Sequence, residues 1–83
     1  MSNYYDNFRE PPLNRTASGA ERAHRQIVEM IKGGRLREGE RLPTENDLIA
    51  RLGQSRSTIR EALAQLRAEG RIVSRRGSGT YLR

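Results

Sequence analysis

Ser55, Arg56, Ser57, Thr58 and, one helical turn beyond Arg56, Arg60 form a dense group of hydrogen-bonding side chains. An arginine fork can hold guanine O6 and N7 together, and serine or threonine hydroxyls suit phosphates or either class of base. On a helix, Arg56 and Arg60 project from one face and can enter one groove together. Farther along, Arg75-Arg76-Gly77-Ser78-Gly79 places two more arginines at a glycine-bearing turn. Such a tip can follow a nucleic-acid backbone or reach into a minor groove, where arginine is favoured. The competing reading is a solvated basic helix face beside a turn whose glycines serve only its geometry.

Other chemistry has little to stand on. The sequence has no cysteine, hence no disulfide, thiolate metal site or cysteine nucleophile, and its single histidine, His24, has no partner ligand type. His24 reads as a partly exposed structural residue. The stretch RRGSGT lacks the spacing of a nucleotide-binding loop, and no helix follows it. Glu61 and Glu69 show neither a partner group nor a pocket for acid/base work; Glu61 reads as solvated or as a neighbour of Ser57 or Gln65. No catalytic residue, metal ligand or cofactor is therefore expected, and the chain does not read as an enzyme. No apolar run approaches the roughly 20 residues that cross a bilayer, and the N-terminus lacks a signal-peptide layout. A soluble, cytoplasmic domain without membrane contact is the expectation.

Charge distribution points to the partner. Of 83 residues, 16 are basic and 10 acidic, for a net charge of +6. Residues 1–50 are balanced at eight of each sign, whereas residues 51–83 carry eight arginines against Glu61 and Glu69. A small chain with one strongly basic half suggests a polyanion, above all nucleic acid. With only Phe8 and three tyrosines, it lacks the stacking platforms that single-stranded RNA binding usually needs.

The elements that must position these groups are legible. Residues 1–17, with Pro11 and Pro12, read as an extended, disordered arm; Tyr4, Tyr5 and Phe8 could make a docking motif there. Residues 18–83 read as one domain, mainly α with a small β-hairpin. Ser18 and Glu21 have capping-box spacing, and Ala23, Ile27, Met30 and Ile31 make one apolar stripe that Gly33-Gly34 ends. Leu36 and Leu42 anchor a turn around Gly39. Thr44 caps a second helix with Leu48, Ile49 and Leu52 inward, stopped by Gly53. Gln54 and Ser55 start a third, with Ile59, Ala62, Leu63 and Leu66 inward and Gly70 as its stop. Ile72-Val73-Ser74 and Thr80-Tyr81-Leu82 then read as a hairpin that must pack on the helices to persist. Three helices and a hairpin, with a tight Leu52-Gly53-Gln54-Ser55 junction, give a winged helix-turn-helix.

The segment LPTENDLIARLGQSRSTIREALAQLRAEGRIVSRRGSGTYL resembles the DNA-binding domain of GntR-type bacterial transcription regulators. The resemblance runs from near Ala20 to Leu82. It is carried by Leu42-Pro43-x-Glu45, Ser55-Arg56-x-x-Ile59-Arg60-Glu61-Ala62-Leu63, Glu69-Gly70 and Gly77-x-Gly79-Thr80. The Arg-Glu-Ala-Leu segment is closer to the FadR-like branch. The resemblance implies sequence-specific binding of double-stranded DNA, as a homodimer on a palindromic operator, by a transcription regulator such as a repressor. It places Ser55, Arg56, Ser57, Thr58 and Arg60 on the operator, the two arginines on bases, and Arg76 and Gly77 at the minor groove. Thr44, Asn46 and Arg75 are counted with this interface. It also implies a further, C-terminal domain that binds a small-molecule effector, so that residues 18–83 would be a DNA-binding domain without it.

Three positions depart from the family pattern. Asn46 stands where Arg is common, Gln54 where Val usually packs, and Glu38-Gly39 replaces a Pro-Gly turn. The rival reading is a winged-helix interaction module whose arginine face docks an acidic protein.

Overall fold

The structure, a computed structural model, describes residues 18–83. The arm expected over 1–17, with Tyr4, Tyr5 and Phe8, lies outside the described residues. Three helices come first, α1 (Gly19–Gly33), α2 (Glu45–Leu52) and α3 (Arg56–Ala68), then strands β1 (Ile72–Arg75) and β2 (Gly79–Leu82). The expected winged helix-turn-helix is the fold.

Side-chain caps fix where each helix begins. Ser18 and Glu21 form the reciprocal capping box of α1, Thr44 and Asp47 that of α2, and Ser55 Oγ accepts from the Thr58 amide at the start of α3. Each satisfies amides that have no partner within the helix. The helix ends are less uniform. Gly53 and Gly70 take left-handed conformations after α2 and α3, as their positions suggest. After α1, however, Gly34 is right-handed and Arg35 takes the left-handed role at φ 54°. The paired bonds Leu36 N–H to Ile31 O and Arg35 N–H to Lys32 O hold it there, so the helix ends at Gly33-Gly34 as expected while a residue other than glycine takes the left-handed position.

The core gathers Ala23, Ile27, Leu42, Leu48, Ile59, Ala62, Leu63, Leu66 and Ile72, with Met30, Ile31, Leu36, Ile49 and Leu52 half-buried around it. Helix α3 is the hub, packing on α1, α2 and β1. Its inward stripe is what orients its opposite, polar face. The hairpin pairs antiparallel, Ile72 with Leu82 at its base and Arg75 with Gly79 near its tip.

One part of the sheet goes beyond the sequence reading. Gly39 and Leu42 donate to the carbonyls of Leu82 and Thr80, Leu82 donates to Glu40 O, and Arg41 bridges to Tyr81. The turn expected around Gly39 is present, and its segment also runs along the outer edge of β2, joined to it by these bonds and the single bridge at Arg41. Glycine, glutamate and arginine carry no strand signal, so only the tertiary pairing reveals it.

Candidate nucleic-acid interface

Gly53, Gln54 and Ser55 turn the chain between α2 and α3, and Gly53 can do so because its φ is 67°. Gln54 does more than occupy a packing position: its Nε2 donates to Gln26 Oε1 at 3.1 Å, tying the turn to α1. The turn delivers the first two turns of α3 to the surface beside the start of α2.

There the two arginines meet one carboxylate. Arg56 Nη1 donates to Glu45 Oε1 at 3.0 Å, and Arg60 Nε donates to Glu45 Oε1 and Oε2 at 3.2 and 3.1 Å. Arg56 Nη2 also donates to Asn46 Oδ1 at 2.7 Å. The arginine side chains nonetheless remain 51% and 65% exposed, so their forks are held but open to a ligand. Partial burial pushes the Glu45 carboxyl up, but hydrogen bonds from Arg60 and Arg56 and their charges outweigh it and hold the pKa below the ordinary value. Glu45 stays ionised and fixes both forks. In the sequence Glu45 stands only as part of a motif, without a role of its own. Asn46 is a second support for Arg56.

The other candidates divide. Ser57 is exposed beside Arg56. Ser55 is also exposed, yet its Oγ accepts from the Thr58 amide at 3.2 Å and donates to Thr58 Oγ1 at 2.9 Å. Thr58 is half-buried, facing α1 where a Cβ on Gly19 would lie 3.3 Å from its methyl. Thr44 Oγ1 accepts from the Asp47 amide at 3.1 Å, leaving its hydroxyl proton to donate outward. Ser57, Arg56, Arg60 and Asn46 therefore form the open face, with Ser55 and Thr44 at its edge and Thr58 turned away.

At the wing, Ser78 N–H bonds Arg75 O across a turn whose third residue, Gly77, has φ 73°. Arg75 lies over the Tyr81 ring, 4.7 Å from its centroid, and the Tyr81 hydroxyl bonds Ser78 Oγ. Arg76 projects from the exposed tip.

Away from this face, His24 Nε2 bonds Glu69 Oε1 and Oε2 at 2.9 and 3.1 Å, and Arg71 Nε lies 3.0 Å from Glu69 Oε1. Glu69 thus has partners that the sequence reading denied it. The His24 hydrogen bond is the chief cause of its lowered pKa. The pair joins α1 to the end of α3, a structural use of histidine. Among the described residues no cluster of His, Asp and Glu could hold a metal ion.

Comparison with known proteins agrees with this architecture. Residues 19–82 match the model of the family described as bacterial regulatory proteins, gntR family. The histidine utilization repressor of Klebsiella aerogenes is 37% identical over 75 residues, 90% of this chain and 31% of that protein. The mannosyl-D-glycerate transport/metabolism system repressor MngR of Escherichia coli (strain K12) is 45% identical over 58 residues, 70% and 24% of the two chains. The crystal structure of AraR(DBD) in complex with operator ORX1 superposes with a TM-score of 0.75 at 31% identity, covering 89% of this chain and 90% of that one. The chain spans between about a fifth and a third of the length of the curated relatives it matches.

Proposed function

Since the chain belongs to the gntR family of bacterial regulatory proteins, we propose that it binds double-stranded DNA sequence-specifically as the reading head of a transcription regulator. The observation that carries the reading is the open face of α3. Arg56 and Arg60 stand side by side with their forks fixed by Glu45 and Asn46 and still exposed. Side chains already ordered lose less freedom on binding, so this face suits bidentate recognition of guanine.

In this reading α3 enters a major groove, with Ser57 on a flanking phosphate, Ser55 turning its hydroxyl proton from Thr58 to another, and Thr44 and Asn46 at the rim. Arg76 and Gly77 reach the neighbouring minor groove, and Arg75, braced on Tyr81, follows the backbone. Thr58 contributes by fixing the helix start. Two copies bind a palindromic operator, and occupancy of that operator represses transcription. A small-molecule effector acts through another part of the regulator, in the cytoplasm. No described helix is long and apolar enough to cross a membrane.

Fluorescence anisotropy with a duplex from upstream of the protein's own gene, beside a scrambled duplex, tests this at two salt concentrations. Tighter binding to the native duplex that persists at the higher salt is expected. Equal binding to both, erased by salt, would leave a basic surface only and favour docking to an acidic protein.

A further inference from the structure

A cleft runs between the wing and α3. Arg41 and Gly79 line it from the sheet, Ser74 from β1, Arg67 from α3 and Thr44 from the start of α2. Glu45 also lines it, so the cleft is continuous with the face that holds Arg56 and Arg60. Neither Arg41 nor Arg67 belongs to the set of residues singled out from the sequence.

Both are held in place by the fold. Arg67 Nη1 donates to Ser74 Oγ at 3.1 Å, which stretches its side chain from α3 toward the wing. Arg41, at the bridge to β2, lies close against Gly79. A Cβ there would come within 2.7 Å of Arg41 Nε and 3.3 Å of Cζ and Nη2, so the bare glycine backbone is the shelf for this guanidinium. Among the described residues no carboxylate lies within salt-bridge distance of either arginine. The one acid lining the cleft, Glu45, is already matched by two cations. The cleft therefore carries unmatched positive charge at two points, Arg67 tied to Ser74 and Arg41 seated by Gly79, each with a planar fork suited to phosphate oxygens.

The geometry of a duplex says what passes there. One sugar-phosphate strand separates any major groove from the adjacent minor groove. With α3 in the first and the wing tip in the second, that strand crosses between them and faces this cleft. We propose that Arg41 and Arg67 clamp the phosphates of the strand that divides the two grooves, setting how deeply α3 and the wing enter. The proposal rests on the DNA-binding reading above and adds a binding site to it.

The test is the salt dependence of binding to the native upstream duplex and its scrambled partner, measured for Arg41→Gln, Arg67→Gln and Lys32→Gln. Lys32 is the control: it is exposed near Leu82 and Arg83, at the base of the hairpin and away from its tip. Each cleft variant is expected to flatten the plot of log K against log salt by about 0.9 for each phosphate it no longer neutralises. The native-to-scrambled ratio should stay unchanged, since phosphates carry no sequence, and Lys32→Gln should leave the slope alone. Arg67→Lys, which keeps the charge, should keep the slope.

Binding by the cleft variants with the wild-type slope would overturn the clamp while leaving DNA binding intact. Equal flattening by Lys32→Gln would overturn it too, reducing the effect to net charge. A collapsed native-to-scrambled ratio would make these residues base readers instead. Failure of the wild-type protein to bind either duplex would overturn the DNA-binding reading itself, and the clamp with it.

Discussion

Glu45 carries the sign of charge that a duplex repels, yet the two arginines best placed to read bases are both bonded to it. A lone carboxylate in the first turn of a helix is normally explained by the helix dipole. Its partners here lie 11 and 15 residues onward, across the turn, and their meeting depends on the angle between α2 and α3. That is why the sequence displayed Arg56 and Arg60 as readers but left their support unseen. Glu45→Gln should remove a repelling charge and loosen both forks. Binding to scrambled duplex is then expected to hold or tighten while the native-to-scrambled ratio falls; an unchanged ratio would contradict a positioning role. Arg60→Ala should flatten preference among sequences by roughly 1–3 kcal/mol, the worth of one bidentate pair. Equal losses on native and random DNA, read by competition anisotropy, would refute base reading by Arg60. Because the pKa of Glu45 is lowered in the fold, its pairing stabilises fully above the unfolded value of 4.5 and is lost as pH falls through the lower folded one. Acid titration of the domain by circular dichroism should show Glu45→Gln with the shallower loss of stability over that range.

Helix starts, inward stripes and most stops could be read from local chemistry because each depends on residues within one or two turns. Ser18 and Thr44 cap as their side chains suggest, the third helix starts at Arg56 with Ser55 as its cap, just past the expected Gln54-Ser55, and Ile59, Ala62, Leu63 and Leu66 are buried as their spacing requires. The exceptions are the places where distant backbone decides. The segment 39–42 bonds along the edge of β2 because β2 offers it partners. Arg35 is left-handed because its own amide and that of Leu36 close onto the end of α1, with the two preceding glycines left out of that role. A side chain in that conformation costs on the order of 1 kcal/mol relative to glycine. Arg35→Gly should therefore raise stability by less than about 1 kcal/mol, since the freer unfolded chain offsets part of the relieved strain. Urea unfolding checks it, and a loss of stability would show that the Arg35 side chain contributes contacts of its own.

Across the whole molecule, the excess of +6 resides in residues 51–83, and the fold sets five of their eight arginines on one helix face, at the wing tip and in the cleft between them, where Arg41 joins from the balanced half. Charge counting could locate the polyanion-binding half but could not separate an arginine for bases from one for phosphates, since that depends on which carboxylate, ring or backbone each one rests against. Arg56 and Arg60 rest on Glu45, Arg75 on Tyr81 and Arg41 on Gly79. The measurement that tests this division most directly is an NMR titration of the isotope-labelled domain with the upstream duplex, following backbone amides and arginine Nε–H groups. Residues 55–60 and 75–77 are expected to shift, the Arg60 Nε–H signal to move as the neighbouring Nη groups take a base while Glu45 keeps hold of Nε, and the end of α1 around Lys32 to stay still. A binding duplex that instead perturbs α1 and leaves Arg56 and Arg60 unchanged would contradict the division of roles.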